Sequence, residues 1–246
     1  MQKCGHNFEN HLEKLSEKDE EIDLKALSGD FTLDAIFAGV FGIENDNFNN
    51  PDNIFRRMAL RMVGAEGYAA RSVFASMINI LLINMVPWLA NDILKLDVMP
   101  SDALEFFADI VRKSYQQRLL SGETRNDLID LLIEEMRTAK ENGTDEGLDF
   151  ETILVSNCVL FFNSGFSTSA DGIAVVVHRL AVNPEEQDKI YDEINEEIGD
   201  EDITLERLQN LKYTEKFIQE ALRYANLIHG LERECTKNYK IPGMII

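Results

Sequence analysis

Basic residues are scarce in this chain: 24 Lys and Arg stand against 44 Asp and Glu, a formal net charge of −20 over 246 residues. A nucleic-acid binder gains affinity by releasing counterions from a basic surface, so no nucleic-acid partner is expected. The surplus acid reads as a solvated, soluble surface, with docking of a basic partner as the alternative. Cysteine is also sparse. Cys4, Cys158 and Cys235 lie far apart with no paired spacing, which excludes a disulfide framework and points to reduced thiols and a cytosol-facing protein. The opening residues, Met1-Gln2-Lys3-Cys4-Gly5-His6, hold no apolar signal-peptide core. No GxSxG, Walker loop or GxGxxG occurs, which leaves hydrolase, P-loop and Rossmann readings without residue-level support. No metal site is predicted, because no carboxylate or cysteine pair completes a ligand set around His6, His11 and Cys4. No repeat at a solenoid period is present, which disfavours a helical array.

Only five prolines interrupt the chain, and 45% of its residues are hydrophobic. The apolar positions recur mostly at helical spacing, so the predicted fold class is mainly α with a small β element at the end. The first helix is expected over 7–16. Asp30 or Thr32 is expected to cap the next, which runs through FTLDAIFAGVFGI and ends at Gly42 or shortly after. The Asn49-Asn50-Pro51-Asp52 turn then precedes a helix over 53–62. The segment 73–90, VFASMINILLINMVPWLA, approaches the length of a membrane span. Asn79, Asn84 and Pro87 interrupt it, so it reads as a buried or interfacial pair of short helices.

Longer helices are predicted over 101–120, 126–140 and 149–181, with a polar loop, ENGTDEG, before the last. Asn183, Pro184 and Glu186 mark a helix start, Ile190, Ile194 and Ile198 its buried stripe, and Gly199 its stop. Thr204 is expected to cap a short helix, and Thr214 one over 215–224. The final stretch, through LEREC, YKI and MII, reads as short strands separated by turns at Lys237-Asn238 and Pro242-Gly243.

The most informative stretch is FFNSGFSTSA, inside the 149–181 pattern. A helix of that length ordinarily buries aliphatic residues, yet its middle holds a glycine and four hydroxyls. Ser164, Ser167 and Thr168 are related by i, i+3 and i+4 and share a face. Gly165 gives up roughly 1 kcal/mol of helix propensity relative to alanine. A gap beside several hydroxyls suits a large flat ligand lying against the helix. Further along, Glu220 and Arg223 stand at i, i+3 in QEALRY; they read either as an ordinary surface pair or as a partly buried pair with further partners.

The order of these pieces resembles the cytochrome P-450 family, the haem-thiolate monooxygenases, and most of all its microsomal group of drug-metabolising and insect detoxifying enzymes. SGFSTSA resembles the family's long-helix motif, (Ala/Gly)-Gly-x-(Asp/Glu)-Thr-(Thr/Ser), and EALR its Glu-x-x-Arg motif. LAVNPEEQDKIYDEINEEIG and ITLERLQNLKYTEKFIQEALR follow its wording and spacing almost throughout. LERECTKNYKIPG resembles the strand region that follows, and FTLDAIFAGVFGIENDNFNNPDN a segment well upstream. The similarity runs from about residue 20 to 246.

The resemblance implies that residues 1–246 are the central portion of a single, incomplete P-450 domain. It would lack the N-terminal anchor region and the C-terminal segment whose cysteine ligates the iron, since no cysteine here has that context. It implies haem as cofactor and insertion of one atom of O2 into a small apolar substrate, with electrons from an NADPH-dependent reductase. It also implies a place on the cytosolic face of the endoplasmic reticulum membrane, against the membrane surface. Thr168 matches the oxygen-activating threonine, its hydroxyl bonding the Ser164 carbonyl and opening the helix, and Gly165 would let the porphyrin approach. Arg233 matches a position that pairs with a haem propionate, and Glu220 with Arg223 the family's structural ion pair. Phe74, Ile80, Leu81 and Leu82 are candidate substrate contacts, with plain core packing as the alternative for each.

Two departures stand out. Ser167 replaces the usual acidic residue, for which Asp171 is a candidate substitute, and Ala225-Asn226 replace the usual prolines. The rival readings are a truncated, non-catalytic helical interaction protein derived from a monooxygenase, and a helical lipid-binding module built around 73–90.

Overall fold

Helical spacing in the sequence becomes helix over most of the computed structural model. It describes residues 2–18, 21–63, 82, 85, 86, 88, 89, 100–144, 147, 149–199, 201–225, 233, 235–237, 240, 241, 244 and 245. The chain divides into two compact units, Met1–Ala174 and Val175–Ile246.

In the first unit, α1 (Gln2–Ser16) is followed by α2 (Leu24–Ile36). The cap of α2 is Asp23, whose side chain accepts the Lys25 and Ala26 N–H groups at 3.0 Å. Asp30 and Thr32, expected as caps, therefore lie inside the helix. The apolar pattern begins at Leu24 and Leu27, a turn earlier than the FTLDAIF run that drew attention. α2 passes into a π-helical turn, Phe37–Phe41, and stops at Gly42, as expected. Gly42 has φ of 61°, and a Cβ there would meet Asp127 Oδ2 at 2.1 Å, so both conformation and space demand glycine.

α3 (Ile54–Met62) is capped by Asn53, which accepts the Arg56 N–H at 2.7 Å. α4 (Ser101–Ser121) and α5 (Leu128–Glu141) lead to α6 (Phe150–Ala181). By length and composition alone, α6 is the one helix among the described residues apolar enough to cross a membrane. Its buried stripe, Leu154, Cys158, Phe162, Phe166 and Ala170, packs into the core of the first unit instead. Phe37, Phe41, Phe107 and Phe162 form the centre of that core, with Phe107 and Phe162 stacked at 4.2 Å.

Two buried polar clusters fix the edges of this core. Arg118 on α4 donates to Asp127 at 2.5 Å and to Asp130 at 2.6 Å, and reaches the Phe41 carbonyl at 3.4 Å. Asp34 on α2 accepts from Asn45 Nδ2 at 2.8 Å, Asn47 Nδ2 at 2.7 Å and the Asn47 N–H at 3.1 Å, fastening the 44–53 loop.

The second unit holds α7 (Pro184–Glu197), α8 (Leu205–Asn210) and α9 (Lys212–Tyr224). Ile190 and Ile198 are buried as predicted, whereas Ile194 is 37% exposed. Asn183 stands at the N-cap of α7, but its side chain donates back to the Arg179 carbonyl at 2.8 Å. Thr204 caps α8. Thr214 does not cap α9, which begins earlier. The Thr214 hydroxyl donates to Glu193 at 2.7 Å, and that carboxylate also accepts the Tyr213 and Thr214 N–H groups, satisfying donors that a cap would otherwise take. β1 (Lys240–Ile241) and β2 (Met244–Ile245) pair antiparallel, Lys240 opposite Ile245. Arg233 and Cys235, in the first expected strand, are not in a strand. The reading of 73–90 lies largely outside the described residues.

Candidate functional site

Residues two apart in a helix lie about 200° apart around its axis. Phe162 and Phe166 face the core, so Ser164 and Thr168 are carried to the opposite side of α6, and both are exposed there. The Thr168 hydroxyl donates to the Ser164 carbonyl. Such a back-bond competes with the helix's own ladder, yet α6 stays helical without a break from Phe150 to Ala181, so the expected opening of the helix is not seen at this turn. Leu160 and Phe161 flank it at 59% and 52% exposure. The result is an uncovered apolar strip beside two hydroxyls. Large apolar side chains in such a strip mark a binding surface more often than single scattered ones do.

Gly165 points elsewhere. A Cβ on it would lie 2.6 Å from Ile36 Cδ1, so the space left by the missing side chain is taken by α2. On the same side, Thr32 Oγ1 lies 3.2 Å from the Phe166 carbonyl, and Lys25 pairs with Asp171 at 2.9 Å. Asp171, the candidate substitute for the missing acid, is thus tied to α2. Ser167 opens onto a cavity of about 420 Å³ between α2, α3 and α6, walled also by Asp30, Arg56, Leu60, Phe166 and Ala170. Its main charges are already matched, Arg56 meeting Asp30 through Nε at 2.6 Å.

The other sequence-predicted residues are dispersed. Glu220 and Arg223 form a two-pronged pair, both bonds 2.6 Å, with side chains 62% and 70% exposed. The bonds from Arg223 hold the Glu220 carboxyl below its usual range. This is the surface form of the two alternatives. Arg233 is exposed and belongs to the second unit. Phe74, Ile80 and Leu81 lie outside the described residues, and Leu82 is half-buried, its carbonyl accepting the Val86 N–H at 2.9 Å. Among the described residues no group of His, Cys, Asp and Glu is placed to hold a metal ion.

Sequence reasoning overlooked that Lys25, Gly29, Thr32 and Ile36 meet α6 around the Ser164–Thr168 turn. The available signal was their i, i+4, i+7, i+11 spacing, one helical face bearing a glycine and a hydroxyl. Reading that face needed α2 to start at Leu24.

The cytochrome P450 family model matches residues 1–246. Cytochrome P450 6a9 of Drosophila melanogaster is 30% identical over 246 residues, covering 98% of this chain and 47% of that protein. Cytochrome P450 6B6 of Helicoverpa armigera is 27% identical, covering 99% and 47%. Cytochrome P450 3A25 of Mus musculus is 25% identical, covering 100% and 48%. The chain spans about half the length of the curated relatives it matches. With α6 in place and the match running from the first residue to the last, the chain belongs to the cytochrome P450 family.

Proposed function

We propose that the intact protein is a haem-dependent monooxygenase. One atom of O2 enters a C–H bond of a small apolar substrate and the other leaves as water, with two electrons from NADPH relayed by a reductase and two protons consumed. The setting is the cytosolic face of the endoplasmic reticulum membrane. When bound, the haem supplies the redox-active iron at which dioxygen is reduced.

The uncovered face of α6 fits such a group. Leu160 and Phe161 offer apolar surface to a flat ring and would exclude water there, while Ser164 and Thr168 offer the polar atoms. Thr168 holds a hydroxyl proton at Oγ1, oriented by the Ser164 carbonyl, at the edge of that surface. In this reading it hands protons inward from water. Ser167, facing the cavity beside it, leaves the chain without the usual carboxylate at that point. Arg233 would pair with a propionate, and Glu220 with Arg223 would brace the second unit.

In this reading the iron's sulfur donor is none of the three cysteines present. Cys4 is buried, and Cys158 lies fully buried within the apolar core. Cys235 is exposed and lacks the family's cysteine context. We therefore assign the ligand to a part of the intact protein other than this chain.

The observation that carries the proposal is the Thr168–Ser164 bond on an uncovered apolar face directly opposite the core stripe. An intact enzyme of family length, reduced under carbon monoxide, should show the thiolate-haem absorption band. Thr168→Ala should then raise peroxide release relative to product; unchanged coupling would remove Thr168 from its role.

A further inference from the structure

Thr32 lies inside α2 and is 4% exposed. A β-branched residue gains nothing from propensity in a helix interior, and a buried hydroxyl requires a partner. Its Oγ1 is 3.1 Å from the Gly29 carbonyl on its own helix and 3.2 Å from the Phe166 carbonyl on α6. A hydroxyl has one proton to donate, so these two acceptors share it.

The second acceptor sits in the middle of the Ser164–Thr168 turn. Two residues before it, the Ser164 carbonyl accepts from Thr168 on the uncovered face. The same turn is thus held from both sides, by Thr168 in front and by Thr32 from the core. Threonine hydroxyls that engage helix carbonyls bend a helix locally. The neighbouring contacts hold α2 in register with this turn. Ile36 fills the gap at Gly165, a Cβ on Gly29 would already meet the Phe166 ring at 3.9 Å, and Lys25 pairs with Asp171.

We infer that Thr32 is a positioning residue for Thr168: through the Phe166 carbonyl it sets the peptide geometry of the turn whose Ser164 carbonyl orients the Thr168 hydroxyl. Its consequence for catalysis rests on the monooxygenase reading, but the geometry does not.

The test uses the intact, full-length protein carrying 13C-methyl threonine, reading the Thr168 methyl shift, its χ1 populations from three-bond couplings, and the unfolding midpoint. Thr32→Val keeps shape and deletes the hydroxyl, Thr32→Ser keeps the hydroxyl, and Ile129→Val weakens the core on α5 away from the site. Thr32→Val should shift the Thr168 methyl and spread it over more than one rotamer. Thr32→Ser should restore the native signal, and Ile129→Val should lower the midpoint without moving Thr168. A Thr168 signal unmoved in Thr32→Val, or moved equally in either comparison variant, overturns the inference. Should Thr32→Val not fold, Thr32→Ala carries the same expectation with less crowding.

In the haem-loaded, full-length enzyme, Thr32→Val should raise peroxide released per NADPH several-fold and Thr32→Ser should not. No rise there, with a rise in Thr168→Ala, also overturns it. Unchanged coupling in Thr168→Ala beside a moved Thr168 methyl in Thr32→Val defeats the proposed function and leaves the positioning intact.

Discussion

Replacing Gly165 with alanine sets two effects of similar size against each other. Alanine is roughly 1 kcal/mol more favourable than glycine in a helix interior. The new Cβ, however, would arrive 2.6 Å from Ile36 Cδ1, and overpacking a core costs about 1–3 kcal/mol. The next nearest atom, Ile36 Cγ1, is 3.6 Å away, an ordinary contact. The conflict therefore rests on one methyl group, which Ile36→Val removes at about 0.5–1.5 kcal/mol. Gly165→Ala should destabilise the native background by about 0–2 kcal/mol and stabilise the Ile36→Val background by about 1 kcal/mol. The coupling between the two sites should be about 1–3 kcal/mol.

Four proteins and their denaturant midpoints, at unchanged slopes, measure this cycle. The sign reversal is the informative outcome, because it separates two uses of the same glycine. If the glycine lets α2 approach α6, alanine becomes welcome once the Ile36 methyl is gone. Additivity within about 0.5 kcal/mol would refute the packing argument and return Gly165 to the uncovered face as a space for ligand.

Two further predictions concern the buried polar clusters. Burial pushes the Asp34 carboxyl up to about 6 from an ordinary 3.8, despite the Asn47 and Asn45 donors. The folded state then holds a proton that the unfolded chain has released, so this contribution is full below about pH 4 and lost as pH rises through 6. It amounts to something on the order of 3 kcal/mol. Subtracting the pH profile of Asp34→Asn midpoints from that of the native protein should isolate this window, and a flat difference would contradict it. Arg118→Met should lower stability by about 3–5 kcal/mol by leaving Asp127 and Asp130 without their buried counter-charge. A loss under about 1 kcal/mol in chemical denaturation would mean water replaces the guanidinium there.

Signals that act within a few residues were legible. Gly42 ends its helix because only a glycine relieves both the positive φ and the crowding by Asp127; the stop was readable, the reason was not. Thr204 caps as its position requires, and Asn53, expected as the first helical residue, is the cap of a helix that starts one residue later. The failures came where a side chain answers to something distant. Thr214 looks like a cap, yet Glu193 on the preceding helix already satisfies those donors. Asp30 looks like a cap until Asp23 is placed, after which it is free to pair with Arg56. Gly165 reads as a gap for a ligand, because the sequence alone does not say which side of α6 another helix will occupy. The Ser164–Thr168 bond was legible in advance because both partners lie on one turn.

The same locality explains how α6 stays helical through a glycine and several hydroxyls. A helix whose middle turn gives up a carbonyl to a side-chain hydroxyl, and carries a glycine beside it, is weak as an isolated segment. Here the weak turn lies between Phe162 and Phe166, which are buried and stacked with each other, and Phe162 also stacks on Phe107. From behind, α2 adds Ile36 against the glycine, Thr32 on the Phe166 carbonyl and Lys25 on Asp171. Burial on one side therefore offsets what the glycine and the back-bond cost, and α6 runs through this turn as unbroken helix. Variants that strip this support should disturb Thr168 before they unfold the protein, whereas weakening the core at Ile129 should only lower the unfolding midpoint.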